Sequence, residues 1–126
     1  MTDLVPPRRT GPLHLVAATV YSLQGLRRLM REVAFRHEVL AAAVLLPGLW
    51  ALGAPSWALA IQAVLLLVLM ALEALNTAIE ELVDHLTRAP ADFARNAKDL
   101  GSVAVMGLIL ANALWAAESL WLALAP

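Results

Sequence analysis

One twelve-residue stretch carries polar groups at helical spacing: Glu73, Asn76, Thr77, Glu80, Glu81 and Asp84. At 3.6 residues per turn, Glu73, Asn76, Thr77, Glu80 and Asp84 fall within an arc of roughly 100°, with Glu81 at its edge. Two other clusters hold complementary groups. Glu32 and Arg36 are four residues apart with Glu38 close behind, and Lys98-Asp99 is followed by Ser102. If the chain brings these clusters to the stripe, one patch holds several carboxylates, an amide, a lysine and hydroxyls. That inventory suits phosphoryl transfer: carboxylates hold Mg²⁺, a lysine neutralises phosphate charge, and one carboxylate accepts a hydroxyl proton.

Plainer readings stand beside this one. A helix leaving a membrane commonly continues as a solvated polar helix, which accounts for Glu80, Glu81 and Asp84 but less well for Glu73 and Asn76. Taken alone, Lys98 reads as a charged membrane anchor, and Glu32 with Arg36 as an i,i+4 surface pair. His14, His37 and His85 show no metal-ligand spacing with one another, and the sequence has no Gly-rich phosphate loop. Three function classes therefore remain: a metal-dependent site at a membrane surface, a small acid-lined oligomeric channel or transporter, and a structural or interaction protein.

The elements that position these residues follow from composition. The 126 residues are 61% hydrophobic and 15% charged, with a mean hydropathy of +0.74. A soluble domain has about 45–50% apolar and about 25% charged residues, so an integral membrane protein is expected. A net charge of −1 gives no basic excess to neutralise phosphates, which argues against nucleic acid as partner. The absence of cysteine excludes disulfides and thiolate chemistry.

Val39 to Leu72 is a run of 34 residues without a charge, too long for one span of about 20 residues. Gly53-Ala54-Pro55-Ser56 breaks it with a turn signature. Leu100 to Ala117 is a second uncharged run, of 18 residues. The pattern predicts an all-α integral membrane protein with three transmembrane helices, over about 34–53, 56–86 and 98–124. Pro47-Gly48 would kink the first span or end it early. Ahead of the spans, Val16, Val20, Leu23, Leu26 and Met30 share an apolar arc of about 120°. An amphipathic interfacial helix is therefore expected over about 13–33. Residues 1–12, rich in proline, are expected to be disordered, and 13–126 to form a single membrane domain. Within α-helical geometry, about 20 residues of membrane counted from Ser56 end near Leu75. Glu73 then stands at the membrane boundary, where a carboxylate costs about 2.5–3.5 kcal/mol at full depth and so asks for a partner or a function.

All nine basic residues fall in two places: Arg8, Arg9, Arg27, Arg28, Arg31 and Arg36 before the first span, and Arg88, Arg95 and Lys98 around the second connection. By the positive-inside rule the N-terminus and the 87–97 loop are cytoplasmic and the C-terminus is outside. Trp50, Trp57, Trp115 and Trp121 gather near the opposite ends of the spans, as an aromatic belt would.

The stretch Glu73-Ala74-Leu75-Asn76-Thr77-Ala78-Ile79-Glu80-Glu81-Leu82-Val83-Asp84 resembles the signature of the prokaryotic diacylglycerol kinase family. The resemblance extends to Ala97-Lys98-Asp99-Leu100-Gly101-Ser102, to Glu32-Val33-Ala34-Phe35-Arg36, and to Tyr21-Ser22 with Gly25-Leu26. It covers about residues 13 to 122, and the family's plan of three spans with an amphipathic N-terminal helix equals the one read from the pattern. The resemblance implies a lipid alcohol phosphorylated with MgATP at the cytoplasmic face of a bacterial inner membrane, by a homotrimer whose sites are shared between neighbouring subunits. It makes Glu73 the general base, with Asn76 orienting base or substrate. It makes Glu32 and Glu80 the ligands of Mg²⁺ and the ATP phosphates. Lys98 and Asp99 would contact the nucleotide, Tyr21 would lie near its adenosine, and Ser102 would line the lipid site with Glu73. Two lipids divide the family, diacylglycerol and undecaprenol; Glu38 and the Lys-Asp-Leu-Gly-Ser stretch favour diacylglycerol. Ala89-Pro90-Ala91 departs from the acidic-aromatic-histidine segment that relatives often carry, so nucleotide contacts there must come from backbone. His14 stands roughly where the family has an arginine.

Overall fold

The structure, a computed structural model, describes residues 12–125. The disorder expected for the N-terminus thus lies outside the described residues except at Pro12, which opens a helix. Four helices follow in order: α1 (Pro12–Leu29), α2 (Val33–Ala51), α3 (Ser56–Leu86) and α4 (Asp92–Leu124). Pro12 suits a first helical position, where its missing N–H has no intrahelical partner to lose. Helices α2, α3 and α4 are each long and apolar enough to cross a membrane. The protein is an all-α integral membrane protein.

The α1 boundary differs from the expectation of a helix to residue 33. The chain tightens after Leu29, with Arg31 N donating to Arg28 O at 3.1 Å and Glu32 N to Leu29 O at 2.9 Å. These i→i−3 bonds end α1, and Glu32 adopts an extended conformation (φ −74°, ψ 133°) from which α2 starts. The α4 boundary also differs, beginning at Asp92 rather than near residue 98. Asp92 places a carboxylate in the first turn, where the helix dipole favours it, and Arg95 pairs with it at 3.0 Å. The polar segment 92–98 is helical without being apolar, so hydropathy does not reveal it.

Pro47 lies inside α2, and the helix continues past it to Ala51. The turn to α3 has a defined motif. Ala54 N donates to Leu49 O at 3.0 Å and Gly53 N to Trp50 O at 3.0 Å, with Gly53 at φ +91°. This is a Schellman cap, which satisfies the last carbonyls of α2, followed by Pro55 to stop the helix for good.

At 1.5 Å per residue, α3 and α4 run roughly 46 and 50 Å, against a hydrocarbon thickness of about 30 Å. Both overshoot at the end where the 87–91 loop joins them, and that overshoot carries the polar stretches. Helices α3 and α4 form the principal antiparallel pair, and α2 packs mainly on α3. Along α3 the buried positions are Ala58, Gln62, Leu66, Leu69, Glu73, Asn76 and Val83. They recur every three or four residues, with only half-buried Glu80 interposed. The seam is therefore one stripe, apolar but for Gln62 up to Leu69 and polar from Glu73 to Glu80.

Deep in that seam, Gln62 Nε2 donates to Asn112 Oδ1 at 2.8 Å, and Asn112 Nδ2 donates to Leu108 O (2.9 Å) and Leu65 O (3.2 Å). Trp115 Nε1 donates to Ala58 O at 3.0 Å, and its ring meets Trp57 edge-on at 6.0 Å. Apolar side chains such as Val44, Val64, Leu67, Leu110 and Leu114 point outward, as lipid requires. The apolar arc of α1, Val16, Val20, Leu23 and Leu26, is likewise exposed, while Leu29 is buried.

Candidate active site

The loop end of the α3–α4 pair gathers most of the residues singled out by type and spacing. Glu73, on α3, is 6% exposed and has no hydrogen bond or ion pair among the described residues. One turn further along, Asn76 Nδ2 donates to Glu80 Oε1 at 3.0 Å. The other end of that amide, Asn76 Oδ1, is buried without a partner. It lies directly against Gly101 of α4, where an added Cβ would overlap it. Gly101 therefore lets the backbone of α4 close onto the Asn76 amide.

Two acids from α2 and its cap complete the acidic side. Glu32 and Glu80 both lie close enough for their charge to act on Glu73, and Glu73 acts on Glu38 in turn. Glu38 is 8% exposed, with one carboxylate oxygen buried and unpartnered. On the α4 side, Lys98 Nζ pairs with Asp84 Oδ1 at 2.5 Å. Lys98, Asp84, Arg88 and Arg95 line a cavity of about 430 Å³ beneath the loop, together with Ala89, Pro90 and Ala91.

Glu32 departs from the expected pairing with Arg36. Its partner is Arg28, whose Nη1 lies 2.5 Å from Glu32 Oε1 while Nη2 lies 2.5 Å from Glu81 Oε1 of α3. The turn between α1 and α2 accounts for this, because it folds the last turn of α1 back over the cap of α2. The hydrogen bond to Glu32, with a smaller contribution from Glu81, holds the Arg28 guanidinium above its ordinary pKa.

The structure thus brings Glu32, Glu73, Asn76 and Glu80 together and places Lys98 beside Asp84. Tyr21, Asp99 and Ser102 are exposed, Tyr21 on α1 and the other two on α4, and make no side-chain hydrogen bond or ion pair with that group among the described residues. In the sequence Arg28 is one basic residue among several, and Glu81 stands at the edge of the stripe. Gln62 and Asn112 are not singled out by charge patterning. Their signal is that of amides inside otherwise apolar runs, which a count of charges does not register.

Among the described residues, no three acidic or histidine side chains converge to cage a metal by themselves. The donors on offer around Glu73 are carboxylate oxygens, the hard ligands that Mg²⁺ prefers. Mg²⁺ in nucleotide sites commonly takes one or two carboxylates, with phosphates and water completing the shell. Glu32 and Glu80, which flank Glu73, fit that requirement.

Comparison with known proteins gives the chemistry a context. Residues 20–120 match the family described as prokaryotic diacylglycerol kinase. A diacylglycerol kinase from a Sinorhizobium species is 46% identical over 110 residues, covering 87% of this chain and 80% of its own length. That of Haemophilus influenzae is 37% identical over 110 residues, covering 86% and 93%. That of Escherichia coli K12 is 36% identical over 110 residues, covering 84% and 88%. With three membrane-crossing helices and these relatives, the chain belongs to the prokaryotic diacylglycerol kinase family, the membrane-embedded enzymes that transfer phosphate to a lipid alcohol.

Proposed function

We propose that this lipid kinase phosphorylates diacylglycerol to phosphatidic acid with MgATP, at the cytoplasmic face of a bacterial inner membrane. The observation that carries the proposal is Glu73: a buried carboxylate, free of hydrogen bonds and ion pairs among the described residues, near the membrane boundary that span length predicts for α3. In this reading Glu73 takes the proton of the free hydroxyl as that oxygen attacks the γ-phosphorus. The bond from the γ-phosphorus to the β–γ bridging oxygen breaks, and ADP leaves. Asn76, held by Glu80, orients the base or the hydroxyl.

Glu32 and Glu80 would hold the Mg²⁺ that accompanies ATP. When bound, the ion neutralises charge on the phosphates. Lys98 and Asp99 would meet the nucleotide, Tyr21 its adenosine, and Ser102 the lipid. The exposure of Tyr21, Asp99 and Ser102 in one chain supports a homotrimer in which neighbouring subunits complete each site. The outward-facing apolar arc of α1 supports it too. The distribution of basic residues supports a cytoplasmic N-terminus and 87–97 loop and an outside C-terminus. Diacylglycerol is preferred to undecaprenol because Glu38 stands six residues after Glu32, and because the relatives above bear that substrate's name.

The test is ATP consumption by the purified protein in mixed micelles with Mg²⁺, offering diacylglycerol and undecaprenol in parallel. Faster phosphorylation of diacylglycerol is the expected result. A preference for undecaprenol would keep the chemistry and change the substrate. Turnover on neither lipid, from a folded oligomer, would reopen the acid-lined channel reading.

A further inference from the structure

Arg28 is the one side chain of α1 that makes ion pairs to other elements among the described residues, and it makes two. One guanidinium nitrogen reaches Glu32, at the cap of α2. The other reaches Glu81, on the stripe's edge in α3. Both arms are 2.5 Å long. An isolated exposed pair contributes little, because water screens it and two flexible chains must be ordered. A planar guanidinium held by two carboxylates on separate elements is different, since fixing one arm orients the other. Glu32 sits on an extended residue between two helices rather than within one, so nothing in its own backbone surroundings aims its carboxylate. The groove between α1 and α3, lined by Ser22, Gly25, Leu26, Ala74 and Thr77, ends at this bridge.

We infer that Arg28 is a positioning residue for the nucleotide half of the reaction: anchored on Glu81, it holds the Glu32 carboxylate toward Glu73 and Glu80 and ties α1 to α3. This rests on the proposed role of Glu32 as a ligand of Mg²⁺ and the ATP phosphates. Arg28 touches neither substrate. Its consequence is confined to MgATP, because the lipid hydroxyl is handled by Glu73 and Asn76 on the rigid helix α3.

The experiment uses the full-length protein in mixed micelles and measures kcat, the KM for MgATP and the KM for diacylglycerol separately. It also measures binding of a non-hydrolysable ATP analogue with Mg²⁺. Arg28→Ala should raise the KM for MgATP about tenfold, the lower end of losses on removing a group that orients a metal ligand, and leave the KM for diacylglycerol unchanged. Arg28→Lys should recover only part of this, since an ammonium cannot fork to both carboxylates. Glu81→Ala should reproduce the Arg28→Ala effect. Glu81→Gln, which keeps an acceptor oxygen for Nη2, should behave as the unsubstituted protein. In a Glu32→Gln background, adding Arg28→Ala should cost no further analogue affinity. An unchanged KM for MgATP in Arg28→Ala, an equal rise in both KM values, or a further loss of analogue affinity in the Glu32→Gln background would overturn the inference. If the unsubstituted protein neither turns over nor binds the analogue, the kinase reading fails and takes this inference with it.

Discussion

Lys98 Nζ and Asp84 Oδ1 meet at 2.5 Å across the α3–α4 hairpin close to its connecting loop, fourteen residues apart in sequence. Both side chains keep substantial solvent exposure. The pair therefore adds little to stability, about 0–1 kcal/mol. Its effect is to hold an ammonium at a fixed height beside the acidic stripe. Asp84→Asn should leave the unfolding midpoint in denaturant nearly unchanged while raising the KM for MgATP, and Lys98→Ala should raise it further. Equal kinetics for Lys98→Ala and the unsubstituted protein would remove Lys98 from the nucleotide site.

Glu73→Gln keeps the size and burial of the side chain and removes its ability to accept a proton. Turnover should fall by at least the roughly 10²–10⁴-fold associated with a general base. Size-exclusion elution and the denaturation profile should be unaltered. Retained activity would disprove the assignment of the base.

Gly101→Ala inserts a methyl group where Asn76 Oδ1 already lies. Relief requires either the Asn76 amide or the α4 backbone to move. Stability should drop by about 1–3 kcal/mol, as for other overpacked contacts. Activity should fall as well, because the Asn76–Glu80 hydrogen bond shares that amide. Denaturation and kinetics on the same preparation check both halves; a variant with full stability and full rate would show that the contact is slack.

Gln62→Leu strands the buried Asn112 Oδ1 and should destabilise by about 1–3 kcal/mol. Replacing both amides by leucine removes the stranded acceptor, so the double variant should lose less than the two single variants summed. Unfolding the four proteins in parallel, in detergent, measures the coupling. Additive losses would mean that the two amides do not act as a pair.

Much of this arrangement is legible along the chain. The uncharged runs place three crossing helices, the Gly53-Ala54-Pro55-Ser56 stretch places the hairpin turn, and helical spacing places Glu73, Asn76 and Glu80 on one face. Periodicity within one helix cannot report how two helices are rotated against each other. That is why Gly101 beneath Asn76, and Gln62 opposite Asn112, emerge only with the packing. The start of α4 at Asp92 escapes hydropathy because its first two turns are polar and held by their own Asp92–Arg95 pair. Arg28 is hidden for a different reason. Its partner Glu32 lies beyond a break in the helix, so regular i,i+4 counting points with equal force to Arg36.

The turn between α2 and α3 bears on how the protein enters its membrane. Leu52 to Pro55 contain no ionisable side chain, and the Schellman hydrogen bonds leave few backbone groups asking for water. Two helices joined this way can partition into lipid together as a hairpin, drawing only an uncharged bend across the hydrocarbon. Helix α4 has no such freedom: Glu118 sits near its far end, and carrying a carboxylate past the bilayer centre costs about 2.5–3.5 kcal/mol. In the proposed topology the α2–α3 hairpin would therefore enter more readily than α4, and would offer Gln62 as a ready partner to Asn112.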